Sequence, residues 1–142
     1  MKLGIVGHAA EKFTWAKQQE ARKAIQYLID LFEPELIVSG ACHMGGIDIW
    51  AIEEAKKWGI PYKEFPPATL KWEGGYKQRN MQIAEASDVV CSMVVTEFPP
   101  DYKGMRFPYC YHCKTDHHIK SGGCWTVKYA STIGKDGMIF EI

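Results

Sequence analysis

The chain predicts an α/β fold, a doubly wound parallel sheet of about five strands in the order 3-2-1-4-5. Three observations carry this expectation. Short apolar runs alternate with helix-period segments along the whole chain, the pattern of parallel strands joined by crossover helices. The runs at residues 36–39 and 88–95 lack polar alternation, as strands buried on both faces do. Glycine-rich turns stand where helix patterns begin, at residues 40–46 and 121–123.

Each element has its own signal. Residues 3–6 read as the first strand, ending at Gly7-His8. Thr14 is placed to cap a helix running to about Phe32, with Trp15, Ala21, Ile25, Leu28 and Ile29 near one face. Pro34 separates it from the second strand, and a second helix covers about residues 47–57, with Ile47, Ala51, Ala55 and Trp58 on one stripe. Gly59 ends that helix, and residues 61–65 resume as a third strand. Pro66-Pro67 marks a turn, and a third helix is expected over residues 75–86. Residues 88–95 form the most apolar strand, the best candidate for the sheet centre. Residues 96–120, with three prolines and many aromatics, form an aromatic, Cys/His-bearing insertion before the last helix. That helix runs from near Gly123 to Gly134, and residues 138–142 close the chain as a short strand. No internal repeat or low-complexity tract interrupts the pattern, so residues 1–142 read as a single domain.

Composition narrows the class. The chain is 46% hydrophobic and 24% charged, as ordinary globular proteins are. Lys+Arg and Asp+Glu both total 17, so no net field draws the molecule to nucleic acid or to a membrane surface. No apolar run approaches the roughly 18 residues of a membrane span, and the first strand begins at once in place of a signal peptide. The expected setting is the cytoplasm. There, five cysteines point to reduced thiols or a metal site more than to disulfides.

In a sheet of the predicted order, the loops after Val6, Ser39, Val95 and Lys120 converge at the carboxyl edge, where such sheets bind ligands. Three glycine loops belong there: Gly7-His8, the run Gly40-Ala41-Cys42 through Gly45-Gly46, and Gly122-Gly123-Cys124. Backbone N–H groups and helix N-termini exposed in such turns favour an anion. Together the loops predict an anionic or nucleotide ligand, although any one glycine can equally serve a tight turn. Arg79-Asn80 adds a cation and an amide, unless Arg79 is merely solvated. Asp48, in the first turn of the second helix, either caps it or accepts from ribose hydroxyls. Thr126 either donates to a phosphate or simply fills its helix, and His8 either meets ligand or water or has no special role.

These residues resemble a family. The run Gly40-Ala41-Cys42-His43-Met44-Gly45-Gly46-Ile47-Asp48, then Gly59-Ile60-Pro61 through Phe65-Pro66, then Arg79-Asn80 and Ala86-Ser87-Asp88, is similar to the SLOG superfamily, closest to its YspA-like branch. The likeness covers roughly residues 1–95 and resumes at Gly122. It implies a Rossmann-like sheet that binds nucleotides or nucleotide-derived small molecules at its carboxyl edge, often in a homodimer. Relatives of the lonely-guy type hydrolyse nucleoside monophosphates with a "PGGxGTxxE" segment and an upstream arginine. Here Gly122, Gly123 and Thr126 match, whereas Trp125 replaces the third glycine and Tyr129 the glutamate; Arg79 matches the arginine approximately. The resemblance therefore implies a pocket more than this hydrolysis.

The insertion departs from that pattern. Cys110-Tyr111-His112-Cys113 is a C-x-x-C, followed by His117-His118 and then Cys124. Tetrahedral zinc accepts such a set: Cys110, Cys113, one of His117 or His118, and Cys124. The alternative is an aromatic lid with unligated cysteines. Phe107, Tyr109 and Tyr111 are candidates to stack on a base or to pack a core.

The expected function is binding, by sensing or sequestration, of a nucleotide-like small molecule, with structural zinc possible and no organic cofactor assigned. The alternative is a hydrolase acting at an N-glycosidic or phosphate linkage, with Asp48, Glu73 or Glu97 supplying a carboxylate and Arg79 assisting. A DNA-processing role is disfavoured by zero net charge and small size.

Overall fold

Successive residues of a strand face opposite sides of its sheet, and this chain fills both sides with apolar groups. A computed structural model describes residues 1–142. Strands β1 (Lys2–Gly7), β2 (Leu36–Ser39), β3 (Tyr62–Glu64), β4 (Val89–Val94) and β5 (Asp136–Glu141) form one parallel sheet in the order β3-β2-β1-β4-β5. Leu3, Ile5, Ile37, Cys91 and Met93 meet α1 (Trp15–Phe32) and α2 (Ile47–Trp58) on one face. Val6, Val38 and Val90 meet α3 (Lys77–Ala86) and α4 (Gly122–Thr132) on the other. The fold is Rossmann-like, and its topological switch lies between β1 and β4.

The chain's own chemistry sets the boundaries. Thr14 Oγ1 accepts from the Lys17 N–H at 3.2 Å and starts α1, and Gly59, at φ +68°, ends α2. Gly46 caps α2 at φ +91°, and a Cβ there would drive into the backbone of residues 8–10, so the turn admits only glycine. The accessible surface of 7420 Å² matches the roughly 7400 Å² expected of a folded monomer of this mass. No helix is long and apolar enough to cross a membrane.

Several expectations need correction. The third helix is assigned from Lys77, two residues after the expected Gly75, and a wide turn over residues 72–76, with Gly74 at φ +79°, leads into it. β3 is only three residues, all exposed, as befits a sheet edge. β1 holds the middle of the sheet, and β4 lies beside it with a neighbour on each side. Trp15 and Trp58, assigned to buried stripes, stand 77% and 55% exposed at helix ends. The ring that turns inward on α2 is Trp50, packed edge-on against Phe13 at 4.9 Å. A short 3₁₀ turn, Ala10–Lys12, was not anticipated.

The insertion between β4 and α4 contains no helix or strand, only an antiparallel bridge between Cys110 and Thr115. Its two ends meet. The Ile119 N–H donates to the Val95 carbonyl at 3.0 Å, and the adjacent Thr96 N–H donates to Ile142 at 3.1 Å.

Candidate functional site

A cavity of about 470 Å³ opens at the carboxyl edge, where β1 ends and α4 begins. Val6 and Gly7 form its floor, and Asp48, Arg79 and Asn80 one wall. Gly122 and Gly123 present the N-terminus of α4. Trp72 and Tyr76 come from the turn before α3, and Tyr111, His112 and Lys120 from the insertion.

The polar wall is built on a buried ion pair. Arg79 NH1 donates to the Gly40 carbonyl at 2.9 Å and lies 3.5 Å from Asp48 Oδ2. Gly40 has no side chain because a Cβ would strike both of these groups. Arg79 Nε donates to Asn80 Oδ1 at 2.8 Å, which fixes the Asn80 amide. Its Nδ2 has no partner in the chain and would stand 3.9 Å from a Cβ at Gly122. Burial pushes the Asp48 carboxyl up to about 6, against the opposing pull of Arg79 and the Cys42 N–H.

The amide wall is less committed. Ser121 caps α4 by accepting from the Gly123 N–H at 3.1 Å, and the Cys124 N–H turns back to the Ser121 carbonyl. The Gly122 N–H is left at the positive end of the helix dipole, beside Asn80. Lys120 Nζ lies 5.2 Å from the centre of the Tyr111 ring and 5.9 Å from that of Phe107. Arg79 stands 5.2 Å from the Tyr76 ring centre. The cavity thus combines donors suited to an anion with aromatic walls suited to a planar ring.

Of the expected ligand-binding residues, Gly7, Asp48, Arg79, Asn80, Gly122 and Gly123 line this cavity. Gly40, Ala41, Cys42, Gly45 and Gly46 stand behind it, carrying the Arg79 contact and the entry to α2. His8 is a buried clamp. Its Nδ1 accepts from the Val95 N–H at 3.1 Å, so Nε2 carries the proton and donates to the Lys120 carbonyl at 2.8 Å. Burial holds its pKa down at about 4. Thr126 spends its hydroxyl proton on the Gly122 carbonyl at 3.1 Å, and the Cys124 thiol turns away to other cysteines. Glu73 and Glu97 lie outside the cavity lining. Sequence reasoning passed over Trp72, Tyr76, His112 and Lys120 as ligand contacts. For Tyr76 a signal existed, since it precedes Arg79 by three residues and shares its helical face.

The two departures from the resembling motif have a visible setting. Trp125 stacks on Tyr129 with ring centres 5.5 Å apart and meets Trp72 edge-on at 5.0 Å. Tyr129 donates to Glu85 at 3.0 Å. Tyr129 thus belongs to an aromatic ladder between α3 and α4.

Behind the amide wall, the donor atoms of Cys110, Cys113, His118 and Cys124 all lie within 4.8 Å of one another and could hold a metal ion. A tight hairpin delivers the first two: Cys110 and Thr115 exchange backbone hydrogen bonds of 2.9 and 3.2 Å around Lys114, at φ +55°. Cys110, Cys124 and His118 are buried, and Cys113 is half-buried. His118 Nε2 is 3.7 Å from Cys124 Sγ, and its buried Nδ1 has no hydrogen-bond partner, with the Glu141 carboxylate 3.8 Å away. Burial pushes the Cys124 thiol up. His117, the other histidine considered, is exposed beside Asp116 and outside the set. No protein-family model matches the chain, and no curated protein matches it.

Proposed function

We propose that the protein binds a nucleotide or nucleotide-derived small molecule at the carboxyl edge of its sheet, as a sensing or sequestering module. The observation that carries this is the cavity itself: Gly122, Asn80, Lys120 and Arg79 line it together with Trp72, Tyr76 and Tyr111, and Asn80 Nδ2 lies beside Gly122. A phosphate suits the donors and a base suits the rings. Its volume of about 470 Å³ falls within the range usual for small-molecule sites. The resemblance to the SLOG superfamily supports the same ligand class and adds a homodimer, which sedimentation velocity would test. Mass spectrometry of the supernatant from denatured protein should find one ultraviolet-absorbing phosphorylated compound per site. Failure of every nucleoside monophosphate, diphosphate and cyclic nucleotide to bind would remove the proposal.

The second reading, hydrolysis of a nucleotide, rests on one residue. Asp48 faces the cavity with its pKa raised to about 6, in the range of a general acid or base. Incubation of the same nucleotides should release free base or phosphate only under this reading, and Asp48→Asn should abolish that release.

The metal we assign is zinc. Three thiolates and an imidazole form a tetrahedral set, and ideal zinc bond lengths put nitrogen and sulfur ligands about 3.6 Å apart. The 3.7 Å between His118 Nε2 and Cys124 Sγ fits that spacing. Glu141 would then orient His118 through Nδ1. Elemental analysis should find one zinc per chain.

A further inference from the structure

The metal donors and the ligand cavity share their chain segments. Tyr111 and His112 are the two residues enclosed by Cys110 and Cys113, Lys120 follows His118 by two, and Gly122-Gly123 immediately precede Cys124. Five of the twelve cavity-lining residues therefore lie within two positions of a metal donor. The insertion that carries three of them has no regular element of its own. Its local anchors are few: the Cys110–Thr115 bridge, Ile119 on the Val95 carbonyl, His8 on the Lys120 carbonyl, and Lys128 on the His112 carbonyl. Ordering such a segment costs about 1–2 kcal/mol per residue in backbone entropy, which an ion tying four donors together offsets.

The ion also has a separate approach. A second, shallower cavity of about 370 Å³ reaches Cys113 and Cys124 from the side of α4 and β5. Only His112 lines both cavities. Cys113 and Cys124 are thus reached from outside the ligand cavity.

We propose that the Cys110–Cys113–His118–Cys124 cluster is an effector site, at which bound metal orders one wall of the ligand cavity and raises its affinity for a phosphorylated, ring-bearing molecule. The coupling rests on the ligand-binding function proposed above. By linkage, the ligand must tighten metal binding by the same factor. The metal is then no passive staple: the module responds to two chemically distinct inputs.

The test compares protein loaded with one equivalent of zinc against protein stripped by a chelator, with adenosine 5′-monophosphate as the probe ligand. Loaded protein should bind the probe about 5–150-fold more tightly, the usual span of allosteric coupling. Amide exchange at residues 111–112 and 120–123 should slow about tenfold on zinc addition, with no nucleotide present. Equal affinity in the two forms overturns the coupling and leaves ligand binding intact. If the probe binds neither form, exchange alone decides the coupling, and unchanged rates at residues 120–123 overturn it; the ligand proposal itself falls only when the whole nucleotide panel fails to bind. Should stripped protein lose its far-ultraviolet dichroism, Cys113→Ser supplies the comparison, since it removes the half-buried donor and keeps the three buried ones. At least fivefold weaker probe binding is expected of that variant. Unchanged binding in it overturns the proposal.

Discussion

Asp48 and His8 are both buried next to the same sheet edge, and burial acts on them in opposite directions. The carboxyl rises from 3.8 to about 6, so the folded state holds a proton that the unfolded state has lost between those values. Its contribution is present below pH 4 and is lost as pH rises through 6. The imidazole falls from 6.5 to about 4, so its contribution is present above pH 6.5 and is lost as pH falls towards 4. Each shift is worth about 3 kcal/mol, and over their shared window the two slopes nearly cancel. Asp48→Asn should therefore expose a stability that declines by about 3 kcal/mol relative to wild type between pH 6 and pH 4. His8→Gln keeps one acceptor for Val95 and one donor for Lys120 but does not titrate. It should show the reverse slope in urea melts across the same range, and parallel curves for all three proteins would refute both assignments.

Within α4, two adjacent glycines serve different ends. A Cβ on Gly123 would stand 2.5 Å from Ser92 Oγ and 3.2 Å from Val6, so the helix end approaches the sheet only because that atom is missing. A Cβ on Gly122 meets nothing closer than Asn80 Nδ2 at 3.9 Å, and the backbone there is not left-handed. Neither packing nor strain accounts for the second glycine, and the ligand proposed above would account for it. Gly123→Ala should cost about 1–3 kcal/mol in thermal or chemical unfolding. Gly122→Ala should stay within about 0.5 kcal/mol of wild type while weakening nucleotide binding at least tenfold. Equal binding by Gly122→Ala and wild type would remove the ligand from this helix end. Such elements were legible in advance because apolar runs, the Thr14 cap and Gly59 act locally. Residues 72–76 were not, since the wide turn there bends at Glu73 and at Gly74, whose positive φ is invisible to periodicity. The orientation of Trp15 and Trp58 failed for a related reason: at a helix end, a stripe runs past the edge of the sheet it should cover.

Across the whole molecule, the sheet order followed from alternation of strands and helices, and with it the edge at which Gly7, Asp48 and Gly122 meet. The rest of the cavity depends on a fold of the insertion that has no period to read. Tyr111, His112 and Lys120 reach the site because the hairpin closes on Cys124, a contact 11 to 14 residues away along the chain from Cys113 and Cys110. The C-x-x-C spacing signalled the metal donors, but the choice of His118 over His117 needed coordinates, since the two are adjacent and only one turns inward. Chelation should lower the melting temperature by at least about 5 °C, reversibly on zinc addition, because the cluster joins the insertion to the N-terminus of α4 beside β4. An unchanged melting temperature would mean that the thiols pack as small apolar groups without an ion.

The hydrogen bond from the Ile119 N–H to the Val95 carbonyl brings the insertion back to the strand end from which it leaves. Between those two positions, outside Cys110, Cys113 and His118, the chain is an excursion whose length and sequence can change while the sheet stays where it is. Under the proposed function, selectivity of the pocket would be separable from the scaffold that supports it. Exchanging this one cassette offers a route to a new ligand preference on an unaltered frame.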